Sequence, residues 1–475
     1  MDTEMEEDAR REFDGAEKSD DGRVRTGTVW TATAHVITAI IGTGILGVAW
    51  SVAQLGWIIG PLFLLGFGCV TYYASTLQAD CYRYPHPLAG KRNYTYKDAV
   101  KAFLGPRSLI MCAIAQYALL WGIIIGYTII ASTSMIAVKK SNCFHKNGHN
   151  ASCKTSEAMF MVMYGLFQVV LSQLPSMHKL AVTSGVAAIM SFAYSGIGLS
   201  LSVAKLVSNG VIKGSIAGNS LYSGESSLTT KLWNSFQALG NIGIAYAFSP
   251  VLLEIQDTLR SHPPENKVMK RATLYGIVVT SVFYTSLGCV GYAAFGSKTP
   301  GNILTGFGFY EPFWLVDIGN ACIVIHLLGA YQVFAQPIFA AIEDRVSSKW
   351  PSNFLLEARY EVKLLFSTQT IWKVTLFSLI MRTTVVLLTT LVAILVPFFN
   401  SVVGLLGAIA FWPLTIYFPV AMHISQTNVK KGSMKWFLLQ CLVLASLSVS
   451  VIAAIGSLVG ITKSLKHSKP FQAKY

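Results

Sequence analysis

The chain contains little charge for its length. Lys, Arg, Asp and Glu make up 13% of its 475 residues, whereas apolar residues make up 53%. Soluble proteins contain roughly 25% charged residues, so a soluble globule of this composition would lack the polar surface needed to cover itself. The mean hydropathy of +0.50 arises from long apolar blocks rather than amphipathic stripes. The sequence therefore predicts a polytopic membrane protein.

Other features that are scarce exclude further classes of protein. Eight cysteines in the whole chain are too few for a disulfide-rich scaffold. The first 25 residues are polar and charged, without the apolar stretch of a secretory signal peptide. The apolar blocks contain no cluster of His or acidic pairs at ligand spacing, so neither an enzyme nor a metal site is predicted. The net charge of +14 is typical of membrane proteins with basic cytoplasmic loops, and we expect no nucleic-acid partner.

The apolar blocks predict eleven membrane spans. A transmembrane helix requires about 20 mostly apolar residues, and eleven segments satisfy this requirement. Pro175 separates the fourth from the fifth segment, and Pro397 separates the ninth from the tenth. Spans 1 to 11 are predicted at about residues 28–50, 57–79, 108–138, 157–174, 180–206, 232–256, 272–295, 312–342, 374–396, 400–423 and 436–461.

The distribution of basic residues predicts how the chain is oriented. With the N-terminus in the cytoplasm, most of the 37 Lys and Arg residues fall on the cytoplasmic side, as the positive-inside rule requires. The C-terminus is then extracellular, although its own basic residues oppose the rule. The segment between spans 3 and 4 lies outside, where Cys143 and Cys153 can form a disulfide and Asn150 is a glycosylation acceptor. A second sequon at Asn93 lies on the cytoplasmic side and should stay unmodified.

Spans 1 and 6 carry helix-breaking residues at mid-depth. Span 1 contains Gly42-Thr43-Gly44-Ile45-Leu46-Gly47, which formally matches the dinucleotide-binding fingerprint GxGxxG but has neither the preceding strand nor the following acidic residue. Alone, this motif fits close helix packing as well as local unwinding. Span 6 contains Gly240, Gly243 and Ser249-Pro250, and proline kinks or breaks a helix. Interrupted helices at corresponding positions of two five-span halves are typical of inverted-repeat transporters, which favours unwinding.

The predicted breaks suggest a class of ligand. Amides after Gly44 lie at the positive end of a half-helix, which suits a carboxylate. Carbonyls at the break in span 6 can accept hydrogen bonds from an ammonium group. Together they suit a zwitterionic amino acid, although dicarboxylates and cations remain open. His35 and His326 lie within spans and titrate in a range that a proton carrier uses; each is either such a carrier or a neutral, hydrogen-bonded histidine.

Long segments of the sequence resemble the plant amino acid permeases of the amino acid/auxin permease family. The resemblance covers about residues 25–460 and is strongest in the following segments: Thr28–Trp57, Asp80–Arg83, Gly90–Tyr96, Ser141–Cys153, Leu252–Lys267, Gly291–Asp317, Asn320–Phe339 and Phe411–Val420.

The resemblance implies an all-α fold like that of the bacterial leucine transporter. This fold has two inverted five-helix repeats with broken first and sixth helices, here followed by an eleventh helix. The corresponding organisation is a disordered cytoplasmic tail (1–27), the first repeat (28–206), an outer loop (207–231), the second repeat (232–423) and a segment (424–475) with a loop, the eleventh helix and an outer tail.

The resemblance also implies proton-coupled import of mainly neutral and acidic amino acids across the plasma membrane by alternating access. The co-transported species is a proton, and no cofactor is expected. A sensor that binds amino acids without moving them, or a carrier of a related small organic solute, is the alternative. We expect the substrate site to comprise Ile41, Gly42, Thr43, Gly44, Ile45, Tyr117, Asn241, Ile242, Ala245 and Tyr246.

Two positions depart from the family pattern, and the roles of two tyrosines are left open by the sequence. Asn241 stands where many relatives have Asp, and an amide cannot release a proton. Leu119 stands where relatives often have a polar Asn or Thr, which affects side-chain selectivity. Tyr117 and Tyr246 either cover the substrate side chain or only pack.

Overall fold

The computed structural model of the chain describes residues 25–467, except for residues 89, 149, 174–179, 219–227, 307–310, 351–353, 355–358 and 364–369. The predicted tail up to residue 24, part of the predicted outer loop, Pro175 and the end of the C-terminal tail therefore lie outside the described residues.

All eleven predicted spans coincide with helices. Nine helical stretches of the described residues are long and apolar enough to cross a membrane, and Val29–Ile40 and Glu157–Ser172 are shorter apolar helices. Span 1 consists of Val29–Ile40, a 3-10 helix at Thr43–Gly47 and the start of the helix Val48–Asp80, whose remainder is span 2. Spans 3 to 5 are Tyr96–Asn147, Glu157–Ser172 and Leu180–Asn209.

The second half of the chain repeats this arrangement. Span 10 contains a π-helical segment, Phe411–Tyr417, between the helices Phe399–Ala410 and Phe418–Thr427. Span 6 is interrupted, with helices at Leu228–Ala245 and Ser249–Gln256. The remaining helices are Glu265–Phe295 (span 7), Phe313–Lys349 (span 8), Leu376–Leu395 (span 9) and Met434–His467 (span 11). A 3-10 turn at Gly296–Lys298 follows span 7.

Gly56 separates span 1 from span 2. Its φ is 88°, a left-handed conformation that favours glycine because it has no Cβ. A Cβ at this position would lie 2.2 Å from the carbonyl oxygen of Ile216 and 2.4 Å from the amide of Gly218. The outer loop before span 6 therefore packs directly against the turn between the first two spans.

Two short hairpins that the sequence patterns did not predict lie in loops on one side of the membrane. Strand β1 (Arg83–Tyr84) pairs with β2 (Lys91–Arg92) between spans 2 and 3. Strand β3 (Arg359–Lys363) pairs with β4 (Thr370–Thr375) between spans 8 and 9. Strands β1 and β2 have only two residues each, too few to show the alternation on which strand prediction depends.

Ion pairs connect the helix ends on this side of the membrane. Arg83 and Arg92 of the first hairpin bind Glu265 at the start of span 7, with N–O distances of 2.7 and 3.1 Å. Lys270 binds Asp80 at 2.7 Å. The two arginine pairs join the loop between spans 2 and 3 to span 7, and the lysine pair joins span 7 to the end of span 2, so together they fix how this loop lies on the bundle.

Asp257, which follows span 6, binds the N-terminal segment of the chain. Its carboxylate accepts hydrogen bonds from Arg25 at 2.7 Å and from the hydroxyl of Tyr82. Burial and this hydrogen bond raise the pKa of Tyr82, so the hydroxyl remains a donor. Asp257 therefore has a structural role at the membrane surface.

Arg382 lies within span 9 and bridges three helices. Its guanidinium donates to Glu343 of span 8 at 3.2 Å and to the carbonyl oxygen of Ser172 of span 4 at 3.0 Å. Charged residues inside spans are costly unless they are paired. Arg382 therefore holds spans 4, 8 and 9 together.

The segment between spans 3 and 4 contains a disulfide and an exposed sequon. Cys143 and Cys153 are bonded to each other, with their Cα atoms 6.1 Å apart. Asn150 is exposed. Asn93, in contrast, is buried, and its side-chain amide donates to the carbonyl oxygen of Cys81 at 3.0 Å.

These environments predict which sequon is modified. With the N-terminus in the cytoplasm, Asn150 faces the lumen during synthesis, whereas Asn93 is buried on the opposite side. We expect Asn150→Gln to remove the mobility shift that an N-glycosidase produces on a gel, and Asn93→Gln to leave that shift unchanged. Glycan at Asn93 would invert the predicted orientation.

Candidate substrate site

Both predicted breaks are present, but the break in span 6 begins later than expected. The first half-helix of span 1 ends at Ile40, and the 3-10 helix begins at Thr43. In span 6 the helix ends at Ala245 and resumes at Ser249, with Pro250 in its first turn, where proline fits because its missing amide would have no helical partner.

The expected break at Asn241 to Tyr246 is therefore displaced toward Tyr246 to Phe248. Gly240 and Gly243 belong to the intact helix and serve close packing instead. A Cβ on Gly240 would lie 2.2 Å from the carbonyl oxygen of Gly404 in span 10. Proline, rather than the glycines, marks this break.

The two breaks are in contact, and one hydroxyl of span 7 binds both. A Cβ on Gly44 would lie 3.0 Å from the Cα of Ala245. The hydroxyl of Tyr284 lies 2.6 Å from the carbonyl oxygen of Ile40 and 3.2 Å from that of Ala245. These carbonyls end the two half-helices and share the single hydroxyl proton of Tyr284, and that of Ile40 also accepts from the amide of Gly42 at 2.8 Å.

Tyr284 was not among the residues expected from the sequence. It is fully buried, and its ring packs edge-on against Tyr246 at a centroid distance of 5.4 Å. A tyrosine within an apolar span does indicate a buried hydrogen bond, because its hydroxyl needs a partner in hydrocarbon. The sequence does not show that the partner is a broken helix far away in the chain.

A cavity of about 560 Å³ lies beside the two breaks, among spans 1, 3, 6, 8 and 10. Of the expected residues, Gly42, Gly44, Tyr117, His35 and His326 line it. The rest of the wall is largely apolar and includes Leu119, Leu120, Ile123, Ile130, Val333, Phe334 and Leu406.

The other expected site residues do not line this cavity. Ile41, Ile45 and Ile242 are buried in the hydrophobic core. Ala245 contacts Gly44, and the hydroxyl of Tyr246 bonds to Ser281 at 3.0 Å. Asn241 is 2% exposed and faces spans 1 and 10. The side chain of Thr43 lies outside the described residues.

The cavity extends from the breaks toward one membrane face. Its wall continues to Thr95, Lys97 and Glu254, near the loop between spans 2 and 3, which the predicted orientation puts in the cytoplasm. The ammonium of Lys97 lies 5.3 Å from the ring centroid of Tyr117, a cation–π distance. A basic and an acidic side chain therefore flank the mouth.

The opposite face is covered by the segment between spans 7 and 8. The amide of Ile303 donates to the carbonyl oxygen of Leu46 at 3.1 Å, and Ile303 and Leu304 are fully buried. This segment lies over the half of span 1 that follows the break. The site is thus open toward one side and covered on the other.

The two candidate histidines occupy different environments. His326 in span 8 is buried, and its Nδ1 lies 3.1 Å from the hydroxyl of Ser191 in span 5. His35 in the first half-helix is exposed to the cavity. His326 therefore connects the cavity wall to a second helix through a hydrogen bond whose donor depends on the tautomer of the ring.

Comparison with known proteins decides the family. The family described as transmembrane amino acid transporter protein matches residues 25–463. The chain belongs to this family. It is 52% identical over 462 residues to amino acid permease 8 of Arabidopsis thaliana, covering 97% of each chain. It is 53% identical over 457 residues to amino acid permease 2 of the same plant, covering 96% of this chain and 92% of the other.

Solved structures show the same fold. The structure of MhsT in complex with L-phenylalanine matches with a TM-score of 0.51 at 11% identity, covering 94% of this chain and 100% of that one. The predicted leucine-transporter-like arrangement of two inverted repeats is confirmed. As a member of the transmembrane amino acid transporter family, the chain is a multi-pass membrane transporter rather than an enzyme.

Replacing Tyr284 by Phe tests the hydrogen bond that joins the breaks. The change removes one hydroxyl, and such a bond contributes about 0.5–1.5 kcal/mol, so we expect the KM of transport to rise about 2- to 10-fold. Initial rates of radiolabelled amino acid uptake in yeast, normalised to surface expression, would measure this.

Tyr292→Phe is the matched control. Tyr292 lies in the same span and is also buried, but its hydroxyl bonds to the backbone of Ser215 in the outer loop. Its loss should leave the KM near the parental value. If the KM rose equally in the Tyr284→Phe and Tyr292→Phe variants, Tyr284 would have no special role at the breaks.

Proposed function

We propose that the chain is a proton-coupled importer of amino acids that works by alternating access. The observation that carries the proposal is the cavity beside two touching helix breaks, which opens toward only one membrane face. Membership of the amino acid transporter family and the names of the permease relatives support amino acids as the substrate class.

The chemistry of the breaks supports recognition of a zwitterion. The amides of Thr43 and Gly44 begin a short helix and have no partner within it, so they suit a carboxylate. In span 6, the carbonyls between Ala245 and Ser249 lie outside regular helix and suit an ammonium group. Backbone recognition of both groups explains how one site can accept many amino acids.

The cavity wall supports a preference among side chains. Leu119 replaces a polar residue of many relatives and lines the cavity together with other apolar residues. Neutral, apolar side chains are therefore the best fit. Lys97 at the mouth provides a positive charge that is compatible with acidic side chains.

Contacts on the inner side support coordinated movement of the two half-helices. The amide of Gly27 donates to the carbonyl oxygen of Thr258 at 2.9 Å, and the amide of Arg260 donates to that of Gly27 at 3.1 Å. With the Arg25–Asp257 ion pair, these bonds tie the beginning of span 1 to the end of span 6. The two half-helices below the breaks then move as one unit.

His326 is the proposed proton-coupling residue, because protonation would make both of its ring nitrogens donors, including the Nδ1 that faces Ser191 across the contact between spans 8 and 5. We place the protein in the plasma membrane, with a cytoplasmic N-terminus, an extracellular C-terminus and a glycan at Asn150.

Gly42→Val tests the carboxylate site. The backbone of Gly42 is extended, with φ −113° and ψ −154°, and a Cβ there meets no atom within 4 Å, so the variant should fold. The new side chain would project into the cavity and exclude a carboxylate. Because hydrogen bonds to charged groups contribute about 1.5–3 kcal/mol, uptake should fall about 10- to 100-fold.

Gly66→Val is the control for this experiment. Gly66 is exposed in span 2, and a Cβ there also meets no atom within 4 Å. We expect it to transport normally. Normal uptake by Gly42→Val, at equal surface expression, would remove the proposed site.

The response to pH tests the coupling. If a proton accompanies the amino acid inward, uptake should be faster at an external pH of about 5.5 than at about 7.5, a range that histidine titrates, and it should not require sodium. His326→Gln should abolish this response but retain exchange of amino acid across the membrane. His35→Gln, which also alters a cavity histidine, should keep the response, and strict sodium dependence of the parent protein would contradict proton coupling.

A further inference from the structure

A buried group of polar side chains lies outside the substrate cavity, on the outer side of the breaks. It consists of Asn241 of span 6, Asn400 at the start of span 10 and Ser457 of span 11, and we call it the amide cluster. A Cβ on Gly404 would lie 2.6 Å from the hydroxyl oxygen of Ser457 and 3.1 Å from Oδ1 of Asn241. Three helices therefore contribute polar atoms to one small region.

Several atoms of the amide cluster have no hydrogen-bond partner among the described residues. They are Nδ2 and Oδ1 of Asn241, Oδ1 of Asn400 and Oγ of Ser457. Asn241 is 2% exposed and Ser457 is fully buried. A buried polar group without a partner costs about 1–3 kcal/mol, so this cluster is costly unless something binds to it.

Polar atoms from three parts of the chain converge beside Gly47 of span 1. A Cβ built on Gly47 would lie 3.5 Å from Oδ1 of Asn400, 3.7 Å from the carbonyl oxygen of Gly301 and 3.9 Å from Nδ2 of Asn241. These are the nearest atoms of other residues. A methyl group added to Gly47 would thus be in ordinary contact with polar atoms from three different parts of the chain.

The amide cluster shares one residue with an outer pocket. A pocket of about 330 Å³ on the outer side is lined by Asn400, Ser401, Asn302 and Gly301, so its floor includes one member of the cluster. At the other end, Asn241 lies about one helical turn before the break that begins after Ala245. The cluster therefore has one member at the pocket and another close to the break.

We propose that the amide cluster binds ordered water and that this water carries the proton from the outer pocket to the breaks. Water both donates and accepts, and the cluster contains both an unpartnered donor and unpartnered acceptors. Buried waters typically make about three hydrogen bonds to otherwise unsatisfied groups. A bare cation would satisfy only the oxygens and would leave Nδ2 of Asn241 facing a positive charge.

The role in proton passage rests on the proposed function, whereas the binding of water does not. It also gives Asn241 a role that an amide can fulfil. An amide cannot release a proton, but it can hold a water molecule that does. Asn241 then acts on coupling and not on substrate contact, consistent with its position outside the cavity wall.

Gly47→Ala tests the proposal with a minimal change. Its backbone is helical, with φ −93° and ψ −6°, and the added methyl would stand at ordinary contact distance from its neighbours. The methyl would occupy the space between the three polar atoms and displace the water. Gly66→Ala, which adds the same methyl to an exposed site in span 2 with no atom within 4 Å, is the matched control.

Both variants would be purified and reconstituted in liposomes, with radiolabelled alanine as the probe. Counterflow exchange measures the substrate site alone, and accumulation driven by a pH gradient measures coupling. For Gly47→Ala we expect exchange near the parental rate and gradient-driven accumulation reduced about tenfold, equivalent to about 1.4 kcal/mol. Gly66→Ala should match the parent protein in both assays.

The outcomes separate the two proposals. A parent protein that exchanges alanine but ignores the pH gradient would overturn the proposed coupling and the proton role of the water together. Parental accumulation by Gly47→Ala would overturn the water route alone. Sodium-stimulated uptake that Gly47→Ala abolishes would overturn water in favour of a cation.

A direct observation keeps the proposal testable if Gly47→Ala does not reach the membrane. A cryo-EM map of the parent protein that resolves waters should show density within hydrogen-bonding distance, about 3.2 Å or less, of the side-chain amide of Asn241. A map that resolves waters elsewhere in the bundle but shows none here would overturn the proposal.

Discussion

The structure depends on one constraint, which is that a backbone polar group in hydrocarbon must have a partner. Interrupting two helices at mid-membrane leaves amides and carbonyls without their helical partners, at a depth where the surrounding lipid contains no water to replace them. The chain meets this constraint by bringing both breaks together in the centre of the bundle. Tyr284 binds one carbonyl from each, and Gly42 and Gly44 line the cavity. The remaining helices keep lipid away from this centre.

The positions around the breaks differ in what they contribute. Gly42 lines the cavity, whereas Gly44 allows span 1 to contact span 6. Gly240 and Gly407 allow spans 6 and 10 to approach each other until backbone atoms nearly touch. Small residues thus serve two purposes in the same few turns: some leave space for a solute, and others remove space between helices. The face of span 6 that packs tightly against span 10 is therefore fixed, whereas its opposite face borders the cavity.

Much of the fold could be predicted from the sequence because membrane spans are long and uniform. The eleven spans and the two interrupted helices follow from apolar runs, Gly42-Thr43-Gly44 and Pro250. The details of the site could not be predicted in the same way. A glycine in a span permits either unwinding or close packing, and only the neighbouring helix decides between them, as Gly240 shows. Tyr284 and the amide cluster are assembled from distant parts of the chain, and periodicity contains no information about such contacts.

The central claim is that an amino acid binds between the two breaks through its carboxylate and ammonium groups. The most direct test is a structure of the purified protein determined with a bound neutral amino acid. We predict density beside Gly42 and Gly44, with the carboxylate toward the amides of Thr43 and Gly44 and the ammonium toward the carbonyls between Ala245 and Ser249. Density for the amino acid at any other place, with the breaks unoccupied, would contradict the account.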